Sequence, residues 1–501
     1  MEFIEHLSLG FGVVFSGTNL LYCLIGAVLG TMVGVLPGLG PAATIAMLLP
    51  STFALGPETA LIMLAGIYYG AQYGGSTTAI LVNLPGESSS VVTCLDGYQM
   101  ARQGRAGPAL ATAALGSFFA GCVATLLIAL FAPALSAAAL NFGPAEYFSL
   151  VLLGMVATVV LANGDVLKAV AMIALGVFLG TVGTDMNSNA NRFTFGVPEL
   201  SDGIGFVAVA MGVFGLAEIV SNLQKPEEHH GIVATRFKDL WPTRDDFKAA
   251  WRPVLRGTAL GSLLGVLPGG GAMLASFSAY SLEKKIARDP SRFGRGAIEG
   301  VAGPESANNA GAQTSFIPLL TLGIPSGAVM ALMAGSLLVQ GVAPGPQLLV
   351  ERPHLFWGVI ASMWVGNAML VVLNLPLIGI WIKLLSAPYR LLYPTIVLVC
   401  CVGAYSLNNS TFDILVVALF GIVGYVFHVL HLEPAPLMMG FILGPMLEEY
   451  FRRAMQIARG DVIAITTRPI SAGFLGATVL LLVLILLPTF RKVRVEAFQE
   501  A

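Results

Sequence analysis

Two apolar runs in this chain are interrupted by nearly the same phrase. Gly34-Val-Leu-Pro-Gly-Leu-Gly40 stands in the first half and Gly265-Val-Leu-Pro-Gly-Gly-Gly271 in the second. Each follows a run of small-residue steps, Gly26 to Gly34 and Gly257 to Gly265. Proline and glycine in the middle of a hydrophobic segment break the helical hydrogen-bond ladder. Backbone groups freed in lipid persist only where protein buries them or where they line a cavity. Paired breaks in corresponding halves mark the binding site of a secondary transporter. The expected fold is therefore all-α: a polytopic transmembrane helical protein with two inverted repeats and re-entrant or broken helices at the Leu-Pro-Gly motifs.

Composition agrees with a membrane protein. Charged residues make up 11% of the chain and hydrophobic ones 56%, where soluble domains carry roughly 25% charged residues. A net charge of −2 points to neither nucleic acid nor an anionic lipid surface. Cys23, Cys94, Cys122, Cys400 and Cys401 show no Cys-x-x-Cys pair or metal-ligand spacing and read as buried small hydrophobes. Residues 1–17 hold no Lys or Arg, so they lack the basic start of a cleaved signal peptide and are expected to be retained.

Spanning helices need roughly 17–25 apolar residues. Candidates lie at about 18–36, 58–82, 108–132, 145–162, 165–183, 203–221, 257–281, 316–339, 356–382, 391–407, 412–430 and 470–489, with half-helices at about 41–55 and 434–446. The chain divides into a first membrane repeat (1–223), a polar cytoplasmic connector (224–256), a second membrane repeat (257–490) and a cytoplasmic tail (491–501). Basic loops stay in the cytoplasm. Both loops beside 257–281 are basic, so that segment is expected to re-enter, with its Leu-Pro-Gly at the tip. The matching first-half segment starts from an end without Lys or Arg, hence from outside. Opposite entry sides imply inversion. The side on which 431–470 lies stays open, because Arg452, Arg453, Arg459 and Arg468 compete with the basic tail.

Polar clusters follow each break. The first half continues with Tyr68-Tyr-Gly-Ala-Gln-Tyr-Gly-Gly-Ser-Thr-Thr78 and Asn83-Leu-Pro-Gly-Glu87. The second offers Glu305-Ser-Ala-Asn-Asn-Ala310, Gln313-Thr-Ser315 and Leu322-Gly-Ile-Pro-Ser326. Amide, hydroxyl and unwound carbonyl oxygens suit a hard cation, and half-helix N-termini offer N–H groups to a carboxylate. Candidate substrate- and ion-binding residues are Pro37, Gly38, Gly40, Ser76, Thr77, Thr78, Asn83, Pro85, Gly86 and Glu87 in the first half. In the second they are Pro268, Gly269, Gly270, Glu305, Asn308, Asn309, Thr314, Ser315 and Pro325. No Lys or Arg lies within these clusters. An anionic substrate would be held by backbone N–H and hydroxyl donors, with co-bound sodium or protons offsetting its charge. The competing account is that such small polar residues only glue helices together.

Intramembrane acids are costly and default to function. Glu87 and Glu305 lie beside the breaks. Asp96 fits a turn or cap as well as it fits coupling. Glu146, Glu218 and Asp413 fall near segment ends, where interface solvation accounts for them. His428 and His431 lack a third ligand, so no resident metal is expected. His-Glu-x-x-His, Gly-x-x-x-x-Gly-Lys-Ser/Thr and Gly-x-Ser-x-Gly are all missing, and the chain is expected not to be an enzyme.

Gly34–Pro41, Tyr73-Gly-Gly-Ser-Thr-Thr78, Asn83-Leu-Pro-Gly-Glu87, Asp96-Gly-Tyr98 with Gly104-Arg-Ala-Gly107, and Glu305–Pro325 together resemble the large membrane subunit of tripartite tricarboxylate transporters, the TctA type. Arg192-Phe-Thr-Phe-Gly196, Leu200-x-Asp-Gly203 and Pro436–Glu449 fit the same family, so the resemblance spans nearly the whole chain. It implies an ion-coupled importer of di- or tricarboxylates, or related organic acids, in the bacterial inner membrane. It also implies two partners, a small membrane subunit and a periplasmic substrate-binding protein. A stand-alone permease or channel for small solutes is the alternative.

Overall fold

The computed structural model describes residues 2–36, 40–162, 165–185, 188–223, 240–267, 271–385 and 389–486. The first half contains α1 (Glu2–Val14), α2 (Gly17–Val35), α3 (Pro41–Leu48), α4 (Pro57–Val82), α5 (Ala106–Ala139), α6 (Pro144–Leu161), α7 (Val166–Gly180) and α8 (Phe206–Leu223). The second contains α9 (Arg244–Leu264), α10 (Gly271–Ile286), α11 (Glu299–Thr314), α12 (Phe316–Leu322), α13 (Ala328–Val339), α14 (Pro353–Asn374), α15 (Ile378–Leu385), α16 (Tyr389–Asn408), α17 (Thr411–Val429), α18 (Pro434–Ile457) and α19 (Pro469–Leu486). Among the described residues, six helices are long and apolar enough to cross a membrane, and the strand content is one short antiparallel pair, Gly183–Thr184 with Asn191–Arg192. The protein is an all-α polytopic membrane protein.

Two hairpins form its centre, and glycine explains both. α2 lies on α4, and a Cβ added to Gly26, Gly30 or Gly34 would strike the carbonyls of Met63, Ile67 and Ala71. α9 lies on α11 with the same spacing: Gly257, Gly261 and Gly265 meet the carbonyls of Gly303, Ala307 and Gly311. Small residues four apart let two membrane helices touch backbone to backbone, where dispersion and weak Cα–H···O contacts replace side-chain packing. α4 is enclosed by α2, α5 and α14, and α11 by α5, α9 and α10. Residues 60–82 of α4 are all buried, as are residues 300–314 of α11.

That enclosure explains where the sequence misleads. α11 contains Glu305, Asn308, Asn309 and Gln313 and does not read as an apolar segment, yet protein rather than lipid surrounds it. The candidate 316–339 is two helices, α12 and α13, divided at residues 323–327. The candidate 356–382 divides likewise into α14 and α15. The half-helix placed at 434–446 is the first part of a 24-residue helix, α18, which runs through Pro445. α9 begins at Arg244, inside the stretch read as a polar connector. Glu146 is not solvated at an interface: it is buried, accepts the Gly143 N–H at 2.8 Å and pairs with Arg468 at 2.6 Å. Asp413 is also buried and accepts from Asn408 at 2.9 Å.

The glycine seams give a direct test. Gly30→Ala and Gly261→Ala each drive a methyl into a carbonyl, and overpacking of this kind costs about 1–3 kcal/mol. Both variants should lower the melting temperature and broaden the size-exclusion peak of the detergent-solubilised protein. Gly12→Ala, with nothing within 4 Å of its new Cβ, should do neither. Equal behaviour of all three would show that the seams are not the packing contact.

Candidate functional site

The two hairpins end in the same way. α4 is capped by Asn83 in the left-handed conformation (φ 61°) and α12 by Gly323 (φ 74°). Both caps precede an x-Pro pair, Leu84-Pro85 and Ile324-Pro325, which cannot continue the helix. Asn83 and Gly323 are 240 positions apart, as are Ala71 and Gly311 in the two seams. Each polar break therefore sits at one fixed distance along the chain beyond its seam.

After the first break the chain turns back against α4. Gly86 packs so closely on the Gly34 carbonyl and on Gly75 that a side chain on it would collide with both. A Cβ on Gly75 would come within 3.0 Å of Glu87 Cγ. Three glycines thus press the Glu87 side chain against α4, where it is 7% exposed. Ser89 Oγ donates to Glu87 Oε1 at 2.6 Å, and Asn308 Nδ2 on α11 donates to the same oxygen at 3.1 Å. Ser89 Oγ also lies 3.2 Å from Gln72 Oε1.

Glu305 is the counterpart on α11, 1% exposed. Ser76 Oγ donates to its Oε2 at 2.5 Å and the Thr93 hydroxyl donates to its Oε1. Asn309 Nδ2 donates to Ser117 Oγ at 2.7 Å and to the Glu305 carbonyl at 3.2 Å, fixing the helix at that point. Glu305 is held by donors from the first half, and Glu87 takes a donor from the second. The donors to both carboxyls are hydroxyls and an amide, with no Lys or Arg among them. Buried acids so placed need a proton or a bound cation to offset their charge.

The other candidates fall in distinct places. Thr77 donates to the Tyr73 carbonyl at 3.2 Å, Thr78 to Val35 at 2.7 Å and Thr314 to Ala310 at 3.0 Å. Ser315 donates to Ala312 at 2.6 Å and its own carbonyl accepts from Ser326 at 3.2 Å, beside the buried Pro325. These hydroxyls are turned onto backbone. Ser76, Thr77, Tyr73, Ser117 and Asn374 line a cavity of about 10 Å³, room for one water. Gly40 is the N-cap of α3, and Asn83 is exposed at its cap. Pro37, Gly38, Pro268, Gly269 and Gly270 lie outside the described residues. Gln72, Ser89, Thr93 and Ser117 join the site without having been singled out. Gln72 stands inside the quoted Tyr68–Thr78 run and Ser89 two residues after Glu87, whereas Thr93 and Ser117 carry no local signal.

Asp96 ties the halves together near the basic loops. It lies in a π-helical turn, Cys94–Tyr98, and is fully buried. Its Oδ1 accepts the Gly296 and Ala297 N–H groups at 2.8 Å each, and its Oδ2 accepts the Tyr280 hydroxyl at 3.0 Å. Arg105 pairs with Asp246, and Arg256 with Glu283 at 2.7 and 2.6 Å. Asp96→Ala leaves three donors without their acceptor, at a cost of about 1–3 kcal/mol for each that stays buried. Trypsin should then cut at the exposed Arg292 and Arg295 several times faster than in the unmodified chain. An unchanged cleavage rate would deny Asp96 a part in holding that loop.

The chain is 58% identical over 500 residues to an Agrobacterium vitis protein described as an uncharacterized 52.8 kDa protein in the TAR-I ttuC' 3' region, covering 100% of this chain and 99% of that one. It is also 58% identical over 240 residues to an uncharacterized protein in the TAR-II ttuC' 3' region of the same organism, a match covering 48% of this chain and 99% of that relative. No solved structure matches it. The model of the tripartite tricarboxylate transporter TctA family matches residues 20–439, which contain both glycine seams, both breaks and both buried acids, and the chain belongs to that family.

Proposed function

We propose that this chain is the large transmembrane subunit of a binding-protein-dependent secondary transporter. It imports di- or tricarboxylates, or related organic acids, across the bacterial inner membrane by symport with sodium or protons. A small membrane subunit and a periplasmic substrate-binding protein complete the system. Family membership supports the transport of carboxylates. The observation that carries the mechanism is the reciprocal bonding of the two acids: Glu305 rests on Ser76 and Thr93, and Glu87 on Asn308. Bonds that cross between halves can break and re-form when the halves rock, as alternating access requires. Hydroxyl, amide and backbone donors at the two breaks bind the carboxylate. Cations offset its charge in a site that has no basic side chain among these contacts.

We read the two hairpins as inverted, entering the membrane from opposite sides. The matched seams and caps support a repeat, and the basic loops flanking 257–281 support entry of the second hairpin from the cytoplasm.

Reconstitution tests the whole reading. Under a sodium or proton gradient and micromolar carboxylate, the chain alone should transport poorly. Adding the small subunit and the loaded binding protein should raise uptake at least about tenfold, roughly 1.4 kcal/mol of barrier. Collapsing the ion gradient should abolish accumulation. Full-rate saturable uptake by the isolated chain would favour a stand-alone permease, and uptake that only equilibrates would favour a channel.

A further inference from the structure

The two buried acids are not equivalent. Glu305 has a separate hydroxyl donor for each carboxyl oxygen, Ser76 on Oε2 and Thr93 on Oε1. Around Glu87 one hydroxyl donor is shared between two acceptors. Ser89 has one proton and two acceptors, Glu87 Oε1 at 2.6 Å and Gln72 Oε1 at 3.2 Å, so it cannot serve both fully. Asn308 is fully buried, and its Nδ2 lies on Glu87 while its Oδ1 has no hydrogen-bond partner. A buried orphan acceptor is rare and asks for an explanation.

We propose that Glu87, Gln72, Ser89 and Asn308 form the seat of one small monovalent cation, sodium, and that Glu305 is a fastening between the halves rather than a ligand. The ligand chemistry follows from the donor set. All the donors are oxygens, the preference of a hard cation, with no thiolate or imidazole among them. One carboxylate among neutral oxygens balances a single positive charge. A divalent ion would call for more carboxylates, and no group of three His, Cys, Asp or Glu side chains is placed to hold a metal among the described residues. Half a turn of the Asn308 amide exchanges Nδ2 for Oδ1 at the carboxylate, which is repulsive without a cation and favourable with one between them. Since Asn308 stands on α11 and the other three on the first half, a bound cation would join the halves. Gly75 and Gly86 keep the carboxylate within reach of α4.

This proposal rests on the ion-coupled reading for its physiological role, but binding can be measured apart from transport. The experiment is sodium titration of the purified full-length protein, followed by melting temperature and by radiolabelled sodium binding, with potassium and choline at matched ionic strength. Sodium should stabilise the unmodified protein, and potassium should do so at least about tenfold less effectively. Glu87→Gln and Asn308→Ala should weaken sodium binding by about 10–100-fold, the usual loss when a metal site is damaged. Asn308→Asp, which keeps an oxygen there, should retain sodium binding if Asn308→Ala fails to fold. Glu305→Gln should lower the melting temperature but leave the sodium half-saturation within about threefold. Sodium binding unchanged in Glu87→Gln, or abolished equally in Glu305→Gln, overturns the assignment. So does an equal response to potassium, or no sodium response in the unmodified protein. Uptake that depends on an ion gradient alongside any of those results would leave the coupled transporter standing with its cation elsewhere. Glu87-dependent sodium binding without gradient-driven uptake would keep the seat and remove the symport reading.

Discussion

Contact between bare backbones holds this molecule in register. In lipid there is little hydrophobic drive to press one apolar helix on another, so close packing must supply the association. Gly26, Gly30 and Gly34 on α2, and Gly257, Gly261 and Gly265 on α9, bring their helices onto the carbonyls of α4 and α11. α4 answers with Gly66, Gly70 and Gly74 facing the backbone of α2, so that seam is small on both sides. With protein wrapped this tightly, α4 and α11 need not be apolar. That freedom lets Gln72, Ser76, Glu305, Asn308 and Asn309 stand on them, buried inside the protein.

The same contacts fix where the polar groups meet. Each hairpin ends 12 residues beyond the residue that its last seam glycine meets, from Ala71 to Asn83 and from Gly311 to Gly323. Left-handed caps and prolines then turn the chain back on itself. Gly86 against Gly34 and Gly75 brings Glu87 back beside α4, within hydrogen-bonding reach of Asn308. α5 is shared by both sides, packing on α4 and on α11, and contributes Ser117 to the bond pattern around Glu305. The site is thus a consequence of helix register, and a shift of one turn in either seam would separate its acids from their donors.

Much of this was legible because the deciding residues are local punctuation. Proline and glycine inside an apolar run announce a break wherever they occur, so the all-α membrane architecture and the paired interruptions could be read directly. Family-specific runs such as Tyr73–Thr78 and Glu305–Pro325 carried the identity. Burial was harder to see. Hydropathy assumes that a helix faces lipid, so it passed over the enclosed α11 and fused α12 with α13. Donor choice was hardest. Thr77, Thr78 and Thr314 look like ligands on composition, yet their hydroxyls lie on backbone carbonyls. Thr93 and Ser117 look unremarkable, yet they reach Glu305 across more than 180 residues of chain. Such pairings depend on the register of two seams, which no window of sequence contains.

The absence of arginine and lysine from the contacts of the two acids has its own logic. A buried guanidinium would pair with a carboxylate bidentately and strongly. In a transporter that strength is a liability, because a ligand held mainly by a fixed positive charge leaves slowly. A buried salt bridge would also lock Glu87 or Glu305 in one arrangement, since removing one partner of such a pair leaves an uncompensated charge. Hydroxyls and amides give weaker, reorientable bonds. Ser89 can turn between Glu87 and Gln72, and Asn308 can present either nitrogen or oxygen to the carboxylate. The basic residues are placed instead at the margins, where Arg105 and Arg256 pair with Asp246 and Glu283 and where strong fixed bonds brace the frame. Strong pairs thus stand at the edge, where Arg105–Asp246 fastens one half to the other, and soft, reorientable donors stand at the centre.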